Sequence, residues 1–476
     1  MFSITKISEL FFYLSTKKIR LLFILTIPIL FNFTYNIYDQ KNINYIEKFN
    51  IFDLISTSLL FLFLYVVGNE IKKSLKLNSI SFGIVLFIVS FFIVDLHLLL
   101  FSQGLKFNSN FLLVCLLWLI FLNYKNKSLF SNIYIFISYT SLYTFNKVFN
   151  EKITTNTNVI GDVEAIFFQQ SQNILQNSYY FSVINYAEKG YPQFSSYIQS
   201  LFFKLSFNLD IFVYKVSTTQ ITYLLLLLLI FELKINNTNK CFLVYIYSLL
   251  LANSQFFQFL FTSSLMSEGI IGYLLVVVCY EVSICINKNR NVDLAFISIG
   301  ILYLTKQFIS TFSILFIIVV LLKKKYRKYA LLGFYVPILK EVNYIINFRS
   351  ITSQHHISQI DITQTFIDLM TLNNLILDNI TLILQKILLD KPYSIFLFIF
   401  LITIFYYLFK FKQNNIQINT FLFFIFLNYM FVFLLYISAW KKMELESPIR
   451  FFLQFLNLKL LTMGLILEDL DKRNSN

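Results

Sequence analysis

The chain has 476 residues, of which 57% are hydrophobic and only 13% are charged. Soluble domains carry about 25% charged residues, so this composition excludes a large solvated domain and predicts an all-α polytopic membrane protein. The net charge of +14 comes from basic residues spread over many short loops. That spread excludes a nucleic-acid partner, which would need one concentrated basic footprint.

The uncharged runs predict a bundle that fills the whole chain. A helix needs roughly 20 apolar residues to cross a hydrocarbon core about 30 Å thick, and on that criterion we expect about 14 transmembrane helices, several of them short. Basic residues precede the first run and no small-residue cleavage site follows it, so we expect a retained anchor. The predicted spans are 19–35, 51–68, 79–101, 110–124, 129–147, 216–233, 241–261, 269–287, 292–305, 308–322, 329–347, 393–410, 418–440 and 450–468.

Basic residues in the short loops predict the orientation, because such loops stay on the cytoplasmic side. With an inner N-terminus and strict alternation, every short basic loop falls inside. The two long loops, 148–215 and 348–392, are then expected outside a bacterial inner or cell membrane. The inner basic residues are Lys72, Lys73, Lys76, Lys125, Lys127, Lys234, Lys240, Lys288, Arg290, Lys323, Lys324, Lys325, Arg327, Lys328, Lys410, Lys412, Lys472 and Arg473.

The first long loop carries an acidic pair, Asp162 and Glu164, directly after Gly161. The glycine allows a sharp backbone turn, and the residues that follow have the periodicity of a short amphipathic helix on the bilayer surface. From these residues alone, Asp162 is either the N-cap of that helix, which is the commoner use of such a residue, or a carboxylate that takes part in chemistry.

Further polar stretches recur in order at the outer ends of predicted spans. They are Tyr191-Pro-Gln-Phe, Ser264-Leu-Met-Ser-Glu268-Gly, Gly300-Ile-Leu-Tyr-Leu-Thr-Lys306-Gln and Pro448-Ile-Arg450-Phe-Phe-Leu-Gln. Together with Gly-Asp-Val-Glu-Ala at Gly161, their order and spacing resemble the GT-C glycosyltransferases, which include protein O-mannosyltransferases and the aminoarabinose transferase. The resemblance covers about 148–468. Val163 occupies the usual position of the second acid, and no proline follows Arg450.

The resemblance implies a membrane enzyme that moves a sugar from a polyprenyl-phosphate donor to a hydroxyl of a lipid, glycan or protein acceptor on the outer side. Asp162 would be the general base, with Glu164 and Glu268 as further catalytic acids. The expected substrate-binding residues are Lys306, Arg349, Arg450 and Tyr191. We therefore divide the chain into an N-terminal four-span membrane segment, 1–128, which has no counterpart in the shorter family members, and a GT-C-like catalytic core, 129–476. We predict no cofactor and no metal.

The chemistry of the residues agrees with this interpretation. Glycosyl transfer needs a carboxylate to take the acceptor proton, and it needs cations to bind the departing phosphate. Lys306 and Arg450 would otherwise be interfacial anchors whose charged ends reach the lipid headgroups. His355 and His356 lie in the last long loop without the carboxylate spacing of a metal site. Other ionisable residues inside predicted spans are Asp95, His97, Glu281, Lys340 and Glu341.

Two alternatives remain open on the sequence. An O-antigen polymerase or ligase also has many spans and keeps its functional residues in a late outer loop, which here carries Arg349, His355 and His356. A lipid-linked-oligosaccharide flippase should show two similar halves with short loops, and no internal repeat is visible. A transporter would place Lys340 and Glu341 on the path of an ion.

Overall fold

The computed structural model describes mainly residues 51–101, 228–233, 235–253, 268–305, 324–348, 391–410, 415–438 and 455–474, with a few isolated positions between them. This part of the chain is helical and contains no strand, which confirms the predicted all-α class for these residues. The helices are α1 (Ile51–Leu75), α2 (Ile80–Leu100), α3 (Asn237–Asn253), α4 (Glu268–Lys288), α5 (Val292–Leu302), α6 (Arg327–Gly333), α7 (Tyr335–Phe348), α8 (Lys391–Lys410), α9 (Ile416–Ser438) and α10 (Leu456–Asn474).

Two stretches of the described helices are long and apolar enough to cross a membrane. They are Ile80–Leu98 in α2 and Ile270–Lys288 in α4. Three shorter apolar helical stretches accompany them: Val292–Leu302, Tyr393–Phe409 and Gln417–Met430. The length and composition of the two longer stretches are those expected for membrane association.

Helix α4 is the centre of the fold. Every residue from 270 to 285 is buried, and α4 packs against α2, α5, α9 and α10. A continuous apolar core joins the two halves of the chain around this helix. Because α4 is covered on all sides, its apolar residues do not need the one-sided pattern of a surface helix.

The hairpin of α1 and α2 depends on two glycines that face each other. A Cβ atom on Gly83 would overlap the backbone carbonyl of Gly68. The two helices can therefore approach closely only because both residues lack side chains. Lys76, in the left-handed region at φ 52°, ends the first helix and reverses the chain toward the second.

The structure differs from the prediction of one span over 329–347. This segment forms two helices, α6 and α7, separated by a turn at Phe334. Pro337 explains the break, since proline has no backbone N–H and its ring clashes with the carbonyl of the residue four positions earlier, which is Gly333. A close approach of Gly333 to Gly300 fixes α6 against α5.

Candidate functional site

Most of the residues predicted to form the outer site lie outside the described residues. These are Asp162, Glu164, Tyr191, Lys306, Arg349 and Arg450, together with His355 and His356. The backbone of Glu268 forms the first residue of α4, as the predicted eighth span requires. The described residues that bear on the site are those next to Lys306 in sequence.

A polar cluster follows the end of α5, three residues before Lys306. The hydroxyl of Tyr303 donates a hydrogen bond of 2.6 Å to Oε1 of Glu341. The Nζ atom of Lys340 lies 4.8 Å from the centre of the Tyr303 ring and 3.8 Å from the same Glu341 oxygen. The cluster thus joins the turn after α5 to the middle of α7, and it includes both ionisable residues that the sequence singled out in the predicted eleventh span.

Local backbone geometry determines where this cluster lies. Helix α5 has only 11 residues, which corresponds to a length of about 16 Å, or roughly half a hydrocarbon core. After it, residues 303–305 form a turn in which the Thr305 hydroxyl donates to the Leu302 carbonyl at 2.7 Å. Buried backbone outside a regular helix needs partners for its polar groups, and Thr305, which is buried, lies in a turn that supplies them.

The cluster offers a carboxylate held in a defined position. The side chain of Glu341 is 48% exposed, whereas that of Lys340 is 20% exposed. An ionised carboxylate has about four acceptor sites, so Glu341 can accept further hydrogen bonds from a ligand hydroxyl after pairing with Tyr303. The arrangement is chemically suited to orient a polyhydroxylated ligand such as a sugar.

Two acids at the start of α2 have a different use. Glu232 accepts the backbone N–H of Ile80 at 2.6 Å and that of Ser81 at 3.2 Å, and it also pairs with Lys72 at 3.0 Å. These N–H groups belong to the first turn of α2, where a helix lacks internal partners and favours negative charge. Glu232 therefore caps α2 from another part of the chain.

Glu281 serves the turn just before the same helix. This fully buried carboxylate accepts the Ser79 N–H, the Ser79 hydroxyl and the Asn78 amide, each at 2.9 Å. Ser79 is in turn the N-cap of α2, since its hydroxyl oxygen accepts the Phe82 N–H at 3.1 Å. The sequence marked Glu281 as a functional candidate at membrane depth, and the structure gives it a capping role.

A second set of acids caps α3. Glu468 accepts the Asn236 N–H at 2.6 Å, and Asp471 accepts the side-chain amides of Asn236 and Asn239 at 2.6 and 2.9 Å. Asn236 itself caps the helix by accepting the Asn239 N–H at 2.8 Å. The end of α10 is thereby attached to the start of α3.

His97, another candidate from the sequence, connects α2 to α7. Its Nδ1 lies 2.8 Å from the Ile93 carbonyl, which can only accept, so this nitrogen carries the proton. The other ring nitrogen, Nε2, then accepts the hydroxyl of Tyr335 at 2.9 Å. Asn343 adds a bond of 2.8 Å from its amide to the Leu96 carbonyl. These contacts dock α7 on α2.

The sequence interpretation missed Lys459, a fully buried cation in α10. Its Nζ donates to the Tyr393 hydroxyl at 3.2 Å and lies 4.7 Å from the centre of the Tyr429 ring. The residue thus joins α8, α9 and α10. A lysine at the midpoint of the predicted span 450–468 was the signal that could have revealed it, because buried charges in apolar helices are rare.

The described residues contain no group of three or more His, Cys, Asp or Glu side chains that could hold a metal ion. Cys279 and Cys285 are free and buried in α4. Comparison with known proteins found no matching protein family, no matching curated protein and no matching solved structure.

Proposed function

We propose that this chain is a multi-pass membrane glycosyltransferase with GT-C-like architecture. It transfers a sugar from a polyprenyl-phosphate donor to an acceptor hydroxyl on the outer side of the membrane. The main support is the separation of polar groups between the two ends of α2. Glu232 and Glu281 are occupied as caps at the start of α2, whereas the half-exposed Glu341 belongs to α7, which contacts α2 near its end, and it pairs with Tyr303, three residues before the expected phosphate-binding Lys306 in sequence.

The exposed surface of α8 supports a membrane location for this helix too, in addition to the two long apolar stretches in α2 and α4. This helix exposes a large set of apolar side chains, although soluble monomers rarely expose contiguous apolar patches above a few hundred Å². A lipid environment accounts for such a surface without a protein partner. The exposed apolar residues of α8 include Ile395, Phe398, Ile402, Phe405 and Phe409.

Contacts among the predicted inner segments support the proposed orientation. Asn291 donates to the Leu75 carbonyl at 3.5 Å, and Lys288 donates to the Asn78 side chain at 3.5 Å. The links from Lys72 to Glu232 and from Asn236 to Glu468 add two further segments to the same end of the bundle. Four segments that the basic-loop rule assigns to one side therefore meet, as a common membrane face requires.

In the proposed reaction, Asp162 accepts the proton of the acceptor hydroxyl as its oxygen attacks the anomeric carbon of the donor sugar. The bond between that carbon and the phosphate oxygen breaks, and the phosphate leaves with the electron pair. Lys306, Arg349 and Arg450 stabilise the negative charge on the leaving phosphate. Glu341, held by Tyr303, hydrogen-bonds a sugar hydroxyl and orients the donor.

The decisive experiment replaces Asp162 with asparagine. Asparagine caps helices about as well as aspartate, so the change removes basicity and keeps any capping role. Purified full-length protein would be given a panel of polyprenyl-phosphate hexoses and pentoses in the presence of membrane extract as the acceptor source. We expect the wild type to release polyprenyl phosphate. In Asp162→Asn we expect the rate of this release to fall by at least about 100-fold. Unchanged release in a correctly folded variant would instead favour a polymerase or ligase that does not need this acid.

The orientation is tested by labelling single introduced cysteines in intact cells. Positions within 165–190 and 355–385 are expected to react with a membrane-impermeant maleimide without permeabilisation. A cysteine introduced at the exposed Thr238, in the predicted inner loop between Lys234 and Lys240, is the matched control and is expected to react only after permeabilisation. Labelling of the two long loops only in permeabilised cells would overturn both the topology and the outer active site.

A further inference from the structure

Four cations at the start of α6 have no carboxylate partner among the described residues. Lys324, Lys325, Arg327 and Lys328 are all exposed, and none of them forms an ion pair within the described part of the chain. Four other cations of the predicted inner side are paired: Lys72 with Glu232, Lys73 with Glu70, Lys472 with Glu468 and Arg473 with Asp469. Lys76, Lys288 and Arg290 also form no ion pair among the described residues, but only 324–328 brings four such cations within five positions. The segment 324–328 is therefore a concentrated positive surface that no described carboxylate neutralises.

Two tyrosines hold this segment on the body of the protein. The ring of Tyr326 lies 5.2 Å from Nζ of Lys325, and the ring of Tyr329 lies 4.8 Å from Nζ of Lys328. Both rings are partly buried against the main apolar core. Aromatic rings with a polar tip favour the boundary between lipid and water, so the tyrosines suit a headgroup level.

An exposed apolar stripe runs from the cations along α6 and α7. Four of its members lie in α7 at spacings of three and four residues, which keeps them on one face of that helix, and the fifth lies in α6 before the turn at Phe334. The first of them, Leu331, is 65% exposed and lies three residues beyond Lys328. Within α7, from Tyr335 to Ile345, the stripe extends over about 15 Å at helical rise, the thickness of about one leaflet of the hydrocarbon core. The stripe comprises Leu331, Tyr335, Ile338, Val342 and Ile345.

We propose that these features form a binding surface for an anionic phospholipid of the inner leaflet. The phosphate contacts the cations at 324–328, and an acyl chain lies along the stripe. The positive segment has the charge complementary to the headgroup, and the adjoining stripe requires a ligand with an apolar tail, which a soluble phosphate lacks. The proposal depends on the inner position of this segment and is independent of glycosyl transfer.

The test compares two double variants that each remove two positive charges from the predicted inner side. Lys325→Gln with Lys328→Gln removes two cations of the surface. Lys73→Gln with Lys472→Gln removes exposed cations that have carboxylate partners, and it is the matched control. Full-length protein in non-ionic detergent would be titrated with dioleoylphosphatidylglycerol, with dioleoylphosphatidylcholine and with sn-glycerol 3-phosphate, and binding would be followed by native mass spectrometry.

Wild type is expected to prefer phosphatidylglycerol over phosphatidylcholine and to show no comparable binding of glycerol phosphate. The Lys325/Lys328 variant is expected to bind phosphatidylglycerol about 30-fold more weakly, since each lysine near a charged lipid surface contributes about fivefold. The control is expected to stay within about twofold. If both variants lost the same affinity for phosphatidylglycerol, the net charge of the protein would account for the loss, and the proposal would be wrong. Equal binding of the two lipids would also contradict it. Strong binding of glycerol phosphate would also overturn it, by identifying a soluble anion as the ligand.

Discussion

Glu281 accepts two hydrogen bonds from Ser79 through a single carboxylate oxygen, one from the backbone N–H and one from the hydroxyl, both at 2.9 Å. The two residues lie 202 positions apart in the sequence. This relationship attaches α4, the central helix, to the N-cap of α2. The position of the start of α2 therefore depends on α4.

The first prediction concerns this attachment. Glu281→Ala leaves the N–H and hydroxyl of Ser79 and the Asn78 amide without their acceptor in a buried place, and we expect the free energy of unfolding to fall by about 3–5 kcal/mol. Glu281→Gln keeps one acceptor oxygen and is expected to lose less. Thermal unfolding in detergent measures both. The exposed pair mutant Lys73→Gln is the control, with an expected change below about 1 kcal/mol. A Glu281→Ala protein as stable as this control would remove the capping role.

The second prediction concerns the crossing of α1 and α2. Gly83→Ala places a Cβ atom against the Gly68 carbonyl, so the helices must separate, and we expect a loss of about 1–3 kcal/mol in stability. Ser90→Ala, at an exposed site on the same helix, is expected to change stability by less than about 0.5 kcal/mol. The unfolding temperatures of the two variants check this difference. Equal temperatures would mean that the close crossing is not required.

The positions of the long apolar helices could be predicted from the sequence because length and hydrophobicity determine them. The prediction 79–101 corresponds to α2 at Ile80–Leu100, and 269–287 corresponds to α4 at Glu268–Lys288. The composition of the chain did not indicate the break at Phe334, which depends on the position of Pro337 relative to a packed glycine. It also did not reveal that α1 continues beyond its apolar run to Leu75.

The caps and clusters could not be predicted, since they join residues that are distant in sequence. Glu232 and Ile80 are 152 positions apart, and Lys459 and Tyr393 are 66 apart. Apolar periodicity indicates which residues enter a bundle but gives no pairing between helices. The roles of Asp162, Lys306 and Arg450 stay predictions, because these residues lie outside the described part of the chain.

The third prediction concerns the buried lysine of α10. Lys459→Met keeps the length of the side chain and removes a charge whose burial is costly, so we expect stability to be equal or higher. Lys459→Ala removes the packing volume as well and is expected to lose about 2–4 kcal/mol. Thermal unfolding of both variants separates charge from volume. If methionine destabilises as much as alanine, the ammonium contacts with Tyr393 and Tyr429 are themselves needed for the fold.

The fourth prediction concerns the Tyr303 cluster. Tyr303→Phe removes the hydrogen bond to Glu341 and leaves the ring below Lys340, so we expect the proposed transfer to fall about 2- to 13-fold, equivalent to about 0.5–1.5 kcal/mol. Tyr326→Phe is the control, because the Tyr326 ring makes a contact with Lys325 that needs no hydroxyl. Release of polyprenyl phosphate at limiting donor is the measurement. Identical rates for the two variants would exclude Glu341 from donor orientation.

The fifth prediction concerns Arg450. Losing a charge-assisted contact to the donor phosphate costs about 1.5–3 kcal/mol, so Arg450→Ala should weaken donor use roughly 10- to 150-fold. Arg450→Lys should recover only part of this loss. A planar guanidinium can donate hydrogen bonds to two phosphate oxygens at once, whereas an ammonium acts as a point charge. Transfer measured against donor concentration distinguishes the three proteins. Wild-type behaviour of Arg450→Ala at limiting donor would make the residue a membrane anchor only.

The attachment of α10 to the start of α3 has a consequence for biogenesis. The Asn236 N–H binds Glu468, a residue that is translated 232 positions later. At about 5–20 residues per second the ribosome needs roughly 10 to 50 s to cover that distance. During this interval the start of α3 keeps its own Asn236 side-chain cap but lacks the contacts from Glu468 and Asp471. Ribosome stalling late in the message, or truncation before Glu468, would leave nascent chains without these contacts and open to proteolysis.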